Sequence, residues 1–143
     1  MIYLDSCALV KLVRDEDDSV ALQSWLDERP DEPAITSELA RTELLRVIRR
    51  NNHTDQGIVI DPDALAAELA AAAEIIDGMS MLAVTTEVLD GAGAIESPML
   101  RTLDAIHLAS ATELDPSDLR VVTYDRRLAE CVRAAGLKIE APR

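Results

Sequence analysis

Apolar residues fall into two rhythms along this chain, and they alternate. Ile2, Tyr3 and Leu4 are an unbroken apolar run, which predicts a short strand over residues 1–5. Leu9, Val10 and Val13 then recur at helical spacing over residues 6–14, and Val20, Leu22, Trp25 and Leu26 repeat that spacing over 19–28. Residues 34–36 form a second short strand, from which a helix begins at Ser37 and runs to about Arg50. Residues 51–60 are a loop. Asp61 followed by Pro62 is an N-cap with proline in the first turn, opening an Ala-rich helix over 63–76 that Gly78 ends. A third strand is expected over 81–84, helices over 85–95 and 101–113, and the clearest strand over 119–123. The last helix, 126–135, stops at Gly136 as its C-cap, leaving Lys138 and Ile139 for a final edge strand. Strands separated throughout by helices predict one α/β domain over residues 1–143, a parallel sheet of four to five short strands with helices on both faces.

Composition changes this picture in two ways. Hydrophobic residues make up 48% of the 143 positions, but aromatics only 2% and Phe is absent. The core is therefore built from Ala, Leu, Val and Ile, and so few aromatic rings argue against a base-stacking platform. The net charge of −13 argues against nucleic-acid binding when taken alone. Three considerations weaken that argument. Divalent cations would cancel a clustered acidic site, the basic residues crowd into Arg41, Arg46, Arg49 and Arg50 and into Arg126 and Arg127, and an acidic chain suits a basic partner. The acidic run 15–18 reads as a solvated turn at a helix start. Cys7 and Cys131 read as reduced thiols rather than a disulfide framework. With no basic leader and no long apolar span, the expectation is a cytoplasmic protein without membrane contact.

Most of the 27 acidic residues sit in polar runs, but four do not. Asp5 ends the first strand, Glu43 lies inside LARTELL, Asp104 inside LDAIHLA, and Asp125 follows the strand VVT. Ligands of open parallel sheets bind beyond the carboxyl ends of the strands, where Asp5 and Asp125 fall. Four carboxylates in one pocket repel each other unless cations are bound. An all-oxygen donor set favours Mg²⁺ or Mn²⁺, and such a site suits phosphodiester hydrolysis by metal-activated water. Each acid has a structural alternative. Asp5 and Asp125 fit as N-caps, Glu43 as a helical pair with Arg46, and Asp104 as a cap or a pair with Arg101. Ser6 and Thr123 place hydroxyls beside Asp5 and Asp125, either to support a metal site or to cap backbone. His107, one turn after Asp104, reads as a hydrogen-bonded helix residue rather than a base.

With these positions marked, the chain resembles the PIN-domain ribonucleases, specifically the VapC-type toxins of bacterial toxin–antitoxin pairs. YLDSCALVKLV, TSELARTELLRVIRR, LRTLDAIHLASA and VVTYDRRLAECVRAAGL resemble the family's four motifs in order, across essentially the whole chain. The resemblance implies an endoribonuclease dependent on one or two Mg²⁺ or Mn²⁺ ions, leaving 5′-phosphate and 3′-hydroxyl ends. Asp5, Glu43, Asp104 and Asp125 would be the catalytic carboxylates and metal ligands, with Ser6 and Thr123 supporting them. It also implies a homodimer and a cognate antitoxin, whose tail often delivers an Arg to the acidic pocket. Arg46, Arg49, Arg50 and Arg126 are the candidates for RNA phosphate contacts, with solvated helix charge or antitoxin ion pairs as their alternative. One position departs from the pattern, since Cys7 stands where the family usually has Ser, Thr or Asn.

Two rival functions follow from the same residues. A phosphatase with Asp5 as nucleophile usually needs a second Asp two residues on, where this chain has Cys7, and Lys138 is poorly placed to assist. A catalytically silent PIN-like dimerisation or binding module would be marked by lost acids, and none of the four is lost.

Overall fold

The computed structural model describes residues 1–143 as a five-stranded, wholly parallel sheet flanked by seven helices. In chain order these are β1 Ile2–Leu4, α1 Ser6–Val13, α2 Ser19–Asp27, β2 Ala34–Ser37, α3 Leu39–Asn51, α4 Pro62–Asp77, β3 Ser80–Leu82, α5 Thr86–Gly93, α6 Thr102–Thr112, β4 Arg120–Val122, α7 Arg126–Ala134 and β5 Lys138–Glu140. The strand order is β3-β2-β1-β4-β5. The chain thus works outward from β1 in one direction, then returns to build β4 and β5 on the other side. The order reverses between β1 and β4, where Tyr3 pairs with Val121 and Leu4 with Val122. In such sheets this reversal opens a crevice at the strands' carboxyl ends.

The central strands are short apolar runs because both faces are covered. Ile2 and Leu4 point into one core with Val122 of β4 and with Leu9, Leu22, Leu44, Ile48 and Ile76 from α1 to α4. Tyr3, between them, points into the opposite core with Val121 of β4 and with Leu108, Leu128 and Val132 from α6 and α7. Val88 of α5 packs on Ile106 and Ala109 of α6 in a third, smaller cluster.

Several expected boundaries moved: α5, expected over 85–95, ends at Gly93, β1 and β4 are shorter at their ends, and two further shifts have a visible cause. Ser37 does not open α3. It is the last residue of β2, pairs with Leu82 and is fully buried, and its hydroxyl accepts from the Leu39 amide, so the helix starts two residues later. β3 ends at Leu82, which leaves Ala83 and Val84 as a connection to Thr85, whose side chain caps α5. The loop over 51–60 carries a small antiparallel bridge between His53 and Val59, turned by Gly57 at φ 78°. Asp61 caps α4 with bonds from the Asp63 and Ala64 amides. Gly136 sits just past the last helix at φ 77°, one residue beyond the C-cap Ala135. That left-handed position is one that favours glycine.

Candidate active site

Four segments arrive at the crevice between β1 and β4, and each brings one of the four carboxylates. Asp5 follows β1 directly and Asp125 follows β4 by three residues, Glu43 sits in the second turn of α3, and Asp104 lies in the first turn of α6. All four line one cleft of about 530 Å³. Lys11, Arg50 and Arg101 also reach it, yet none forms an ion pair with any of the four acids.

Asp5 is 3% exposed. Its Oδ1 caps α1 by accepting the Ala8 amide at 2.8 Å, so the capping alternative is realised. Its carboxylate also receives the Cys7 thiol, 3.0 Å from both oxygens, and the Thr123 hydroxyl on Oδ2. Cys7 therefore performs a donor's task at the departed position. Burial raises the Asp5 carboxyl above the usual range, while the Cys7, Thr123 and Ala8 bonds pull against it. Burial and the adjacent Asp5 charge push the Cys7 thiol up to about 12, so it stays protonated and able to donate. Thr123 is fixed in turn by accepting the Asp125 amide at 3.1 Å.

Asp125 caps α7 through Oδ1, which accepts the Arg127 and Leu128 amides at 2.7 and 2.9 Å. Asp104 caps nothing, since the N-cap position of α6 is Arg101 and makes no side-chain bond. Its Oδ2 is buried without a hydrogen-bond partner. Such an orphaned acceptor is costly in a folded protein unless something absent from the chain satisfies it. Burial, then the charges of Asp125 and Asp5, raise the Asp104 carboxyl.

Glu43 does not pair with Arg46. Its Oε2 accepts from the Ser6 hydroxyl and from His107 Nε2 at 2.7 Å. Partial burial works to raise its carboxyl, but the bonds from His107 and Ser6 outweigh it and leave it lowered. His107 is a hydrogen-bonded helix residue, as its sequence suggests, but its partners belong to the site. Nδ1 lies 2.8 Å from the Tyr3 hydroxyl and Nε2 lies 3.0 Å from Ser6 Oγ. The sequence signal for this role was the three-residue step from Asp104 to His107, which puts both on one face of α6.

The donor set suits a hard divalent cation, with four carboxylates on one cleft and a buried oxygen lacking a partner. No three His, Cys, Asp or Glu side chains stand close enough together to form a metal-binding cluster. The arginines separate into two groups. Arg46, Arg49 and Arg50 line a second cleft of about 680 Å³ that shares Glu43, Val47 and Arg50 with the acidic one. None of the three has an acidic partner. Arg126 lines a third depression with Arg133 and Arg143 that shares Tyr124 and Asp125 with the acidic cleft, and it approaches Glu130 at 3.8 Å.

The chain matches the family described as PIN domain over residues 2–133. Among curated proteins of Mycobacterium tuberculosis it is similar to Ribonuclease VapC35, 39% identical over 144 residues, covering 99% of this chain and 97% of the relative. Ribonuclease VapC47 is 35% identical over 144 residues with the same coverage. Solved structures with a similar fold include Mycobacterium tuberculosis VapC20, described as a Sarcin-Ricin loop cleaving toxin, with TM-score 0.71, 16% identity, and 99% of this chain and 100% of that one covered. Rickettsia felis VapBC2, bound to a DNA fragment from its promoter, matches with TM-score 0.70, 12% identity and full coverage of both chains.

Proposed function

This chain belongs to the PIN-domain family, and from that premise we propose that it is a divalent-metal-dependent endoribonuclease, the toxin half of a toxin–antitoxin pair. The observation that carries the reading is the buried, partnerless Oδ2 of Asp104 in a cleft lined by Asp5, Glu43 and Asp125. Those four residues would hold one or two Mg²⁺ or Mn²⁺ ions. A bound cation would supply Lewis-acid activation of the attacking water and neutralise charge on the scissile phosphate.

The chain's own residues do the rest. Cys7 and Thr123 fix Asp5 by donating to its carboxylate. Thr123 also receives the Asp125 amide, so two of the acids are tied to one hydroxyl. Arg46, Arg49 and Arg50 contact phosphates of the strand entering the acidic cleft, since they are unpaired, adjacent and suited to bidentate phosphate contact. Arg126 approaches Glu130 and is not among the three unpaired arginines of that track.

The antitoxin partner would place a cationic side chain among the four acids, which the −13 charge favours. We further propose a cytoplasmic homodimer. The apolar groove between α5 and α6, lined by Leu89, Ile95, Leu100 and Ile106, is the surface a second copy would cover. No helix of the chain is long and apolar enough to cross a membrane.

The test is cleavage of mixed RNA by the antitoxin-free protein in Mg²⁺ or Mn²⁺, beside an EDTA control and Asp5→Asn. The expected result is cleavage to 5′-phosphate ends by the metal-supplied wild type alone. Inert wild-type protein that still dimerises or binds RNA would replace this reading with a silent binding module.

A further inference from the structure

His107 is 2% exposed, and both of its ring nitrogens bond to side chains from other elements. Nε2 faces Glu43 Oε2, a carboxylate oxygen that only accepts, so Nε2 carries a hydrogen. In the neutral ring Nδ1 is then the acceptor, and the fully buried Tyr3 hydroxyl donates to it at 2.8 Å. The Tyr3 ring also packs edge-on against the imidazole, with centroids 5.9 Å apart. The ring therefore has its tautomer set between Glu43 and Tyr3, and its tilt set from the core of the sheet. Both hydrogen bonds to Glu43, from His107 and Ser6, land on Oε2, and none lands on Oε1. Arg46 and Arg50 line clefts with Glu43 and carry no acidic partner, so an unrestrained Glu43 would have two guanidiniums to turn to.

We propose that Tyr3 and His107 form a fixed arm that positions Glu43, holding Oε2 back, leaving Oε1 to bind the cation, and keeping the carboxylate off the neighbouring arginines. Both ring nitrogens of His107 are taken by side chains of the protein, so in this proposal it acts through Glu43 as a positioning residue. The inference rests on the metal-site reading above for its consequence, but its geometry is testable without a metal.

Long-range ¹⁵N–¹H spectra of the metal-free protein should show His107 with hydrogen on Nε2, a preference that Tyr3→Phe, which removes the donor to Nδ1, should weaken. Titration calorimetry with Mn²⁺ should show binding about 10–100-fold weaker in His107→Ala, largely recovered in His107→Gln, whose amide donates from the Nε2 position. In a Glu43→Gln background the His107→Ala change should have no further effect. If His107→Ala does not fold, Tyr3→Phe carries both readouts, with a smaller loss of affinity. A wild-type ring with hydrogen on Nδ1 overturns the proposal, as does an affinity loss that persists in the Glu43→Gln background. Wild-type protein that binds no Mn²⁺ would defeat the metal reading, while the tautomer would still decide the arm.

Discussion

The unusual residue in this site is a thiol. Cys7 donates to both oxygens of Asp5 from a position where the resembled family usually carries a hydroxyl or amide. A serine keeps the donor and an alanine removes it. Cys7→Ser should therefore retain metal binding and cleavage, whereas Cys7→Ala should weaken Mn²⁺ binding by roughly 10-fold, the lower end for loss of a supporting bond. Calorimetry on both variants separates the outcomes, and equal behaviour of the two would mean the thiol supports nothing. Sequence alone showed that Cys7 departs from the pattern but not that it replaces the missing donor, because that depends on where Asp5 points. His107 was legible as hydrogen-bonded, but its partners lie 64 and 104 positions away and no local spacing reports them.

At the scale of elements, two of the four acids have a structural task of their own. Asp5 caps α1 and Asp125 caps α7, so the capping alternative is realised at both positions while both still line the cleft. The roles can be separated at Asp125. Asn caps about as well as Asp, so Asp125→Asn should melt close to wild type while losing cleavage. Asp125→Ala should lose cleavage and also about 1 kcal/mol of stability, read by denaturant unfolding. A cleavage-competent Asp125→Asn would leave that residue a cap and nothing more. The elements themselves were legible because short unbroken apolar runs alternate cleanly with period-3.6 stretches. The boundaries that slipped, at Ser37 and at Ala83 and Val84, did so for tertiary reasons. Ser37 is polar and helix-cap-like in sequence, but pairing with β3 and burial beside Ser110 keep it extended.

For the whole molecule, the charge pattern matters more than the total. A net charge of −13 argued against nucleic acid, and the fold answers by setting three unpaired arginines beside the acidic cleft. In an Asp5→Asn background, which removes turnover, replacing Arg46, Arg49 and Arg50 by Gln should flatten the salt dependence of RNA binding. The slope of log K against log salt should fall by about 2, near 0.7 for each lost contact with a single strand. Arg126→Gln should leave the slope unchanged, and the reverse pattern would move the RNA path to α7. The order β3-β2-β1-β4-β5, which creates the crevice, was not legible in the sequence, since periodicity gives elements and not their neighbours.

Stability should follow the same charges. Burial, joined at Asp104 by neighbouring negative charge, raises Asp5 and Asp104, so the folded state binds those protons more tightly than the unfolded chain. Their contribution is fully present below the ordinary carboxylate value and is lost as pH rises through the raised folded values. Glu43, lowered by its bonds, runs the opposite way. A cation replaces the lost protons, so Mn²⁺ should raise the melting temperature more at about pH 7.5 than at about pH 4.5.

The central claim is that Asp5, Glu43, Asp104 and Asp125 form one cation-binding centre, and the orphaned oxygen of Asp104 is its most exposed point. Calorimetric titration of Mn²⁺ into the wild type and Asp104→Asn, both shown to be folded, tests it most directly. Saturable binding by the wild type, weakened at least about 100-fold in the variant, is the predicted result, as expected for losing several kcal/mol of ligand charge. Equal affinity in the two proteins would contradict it.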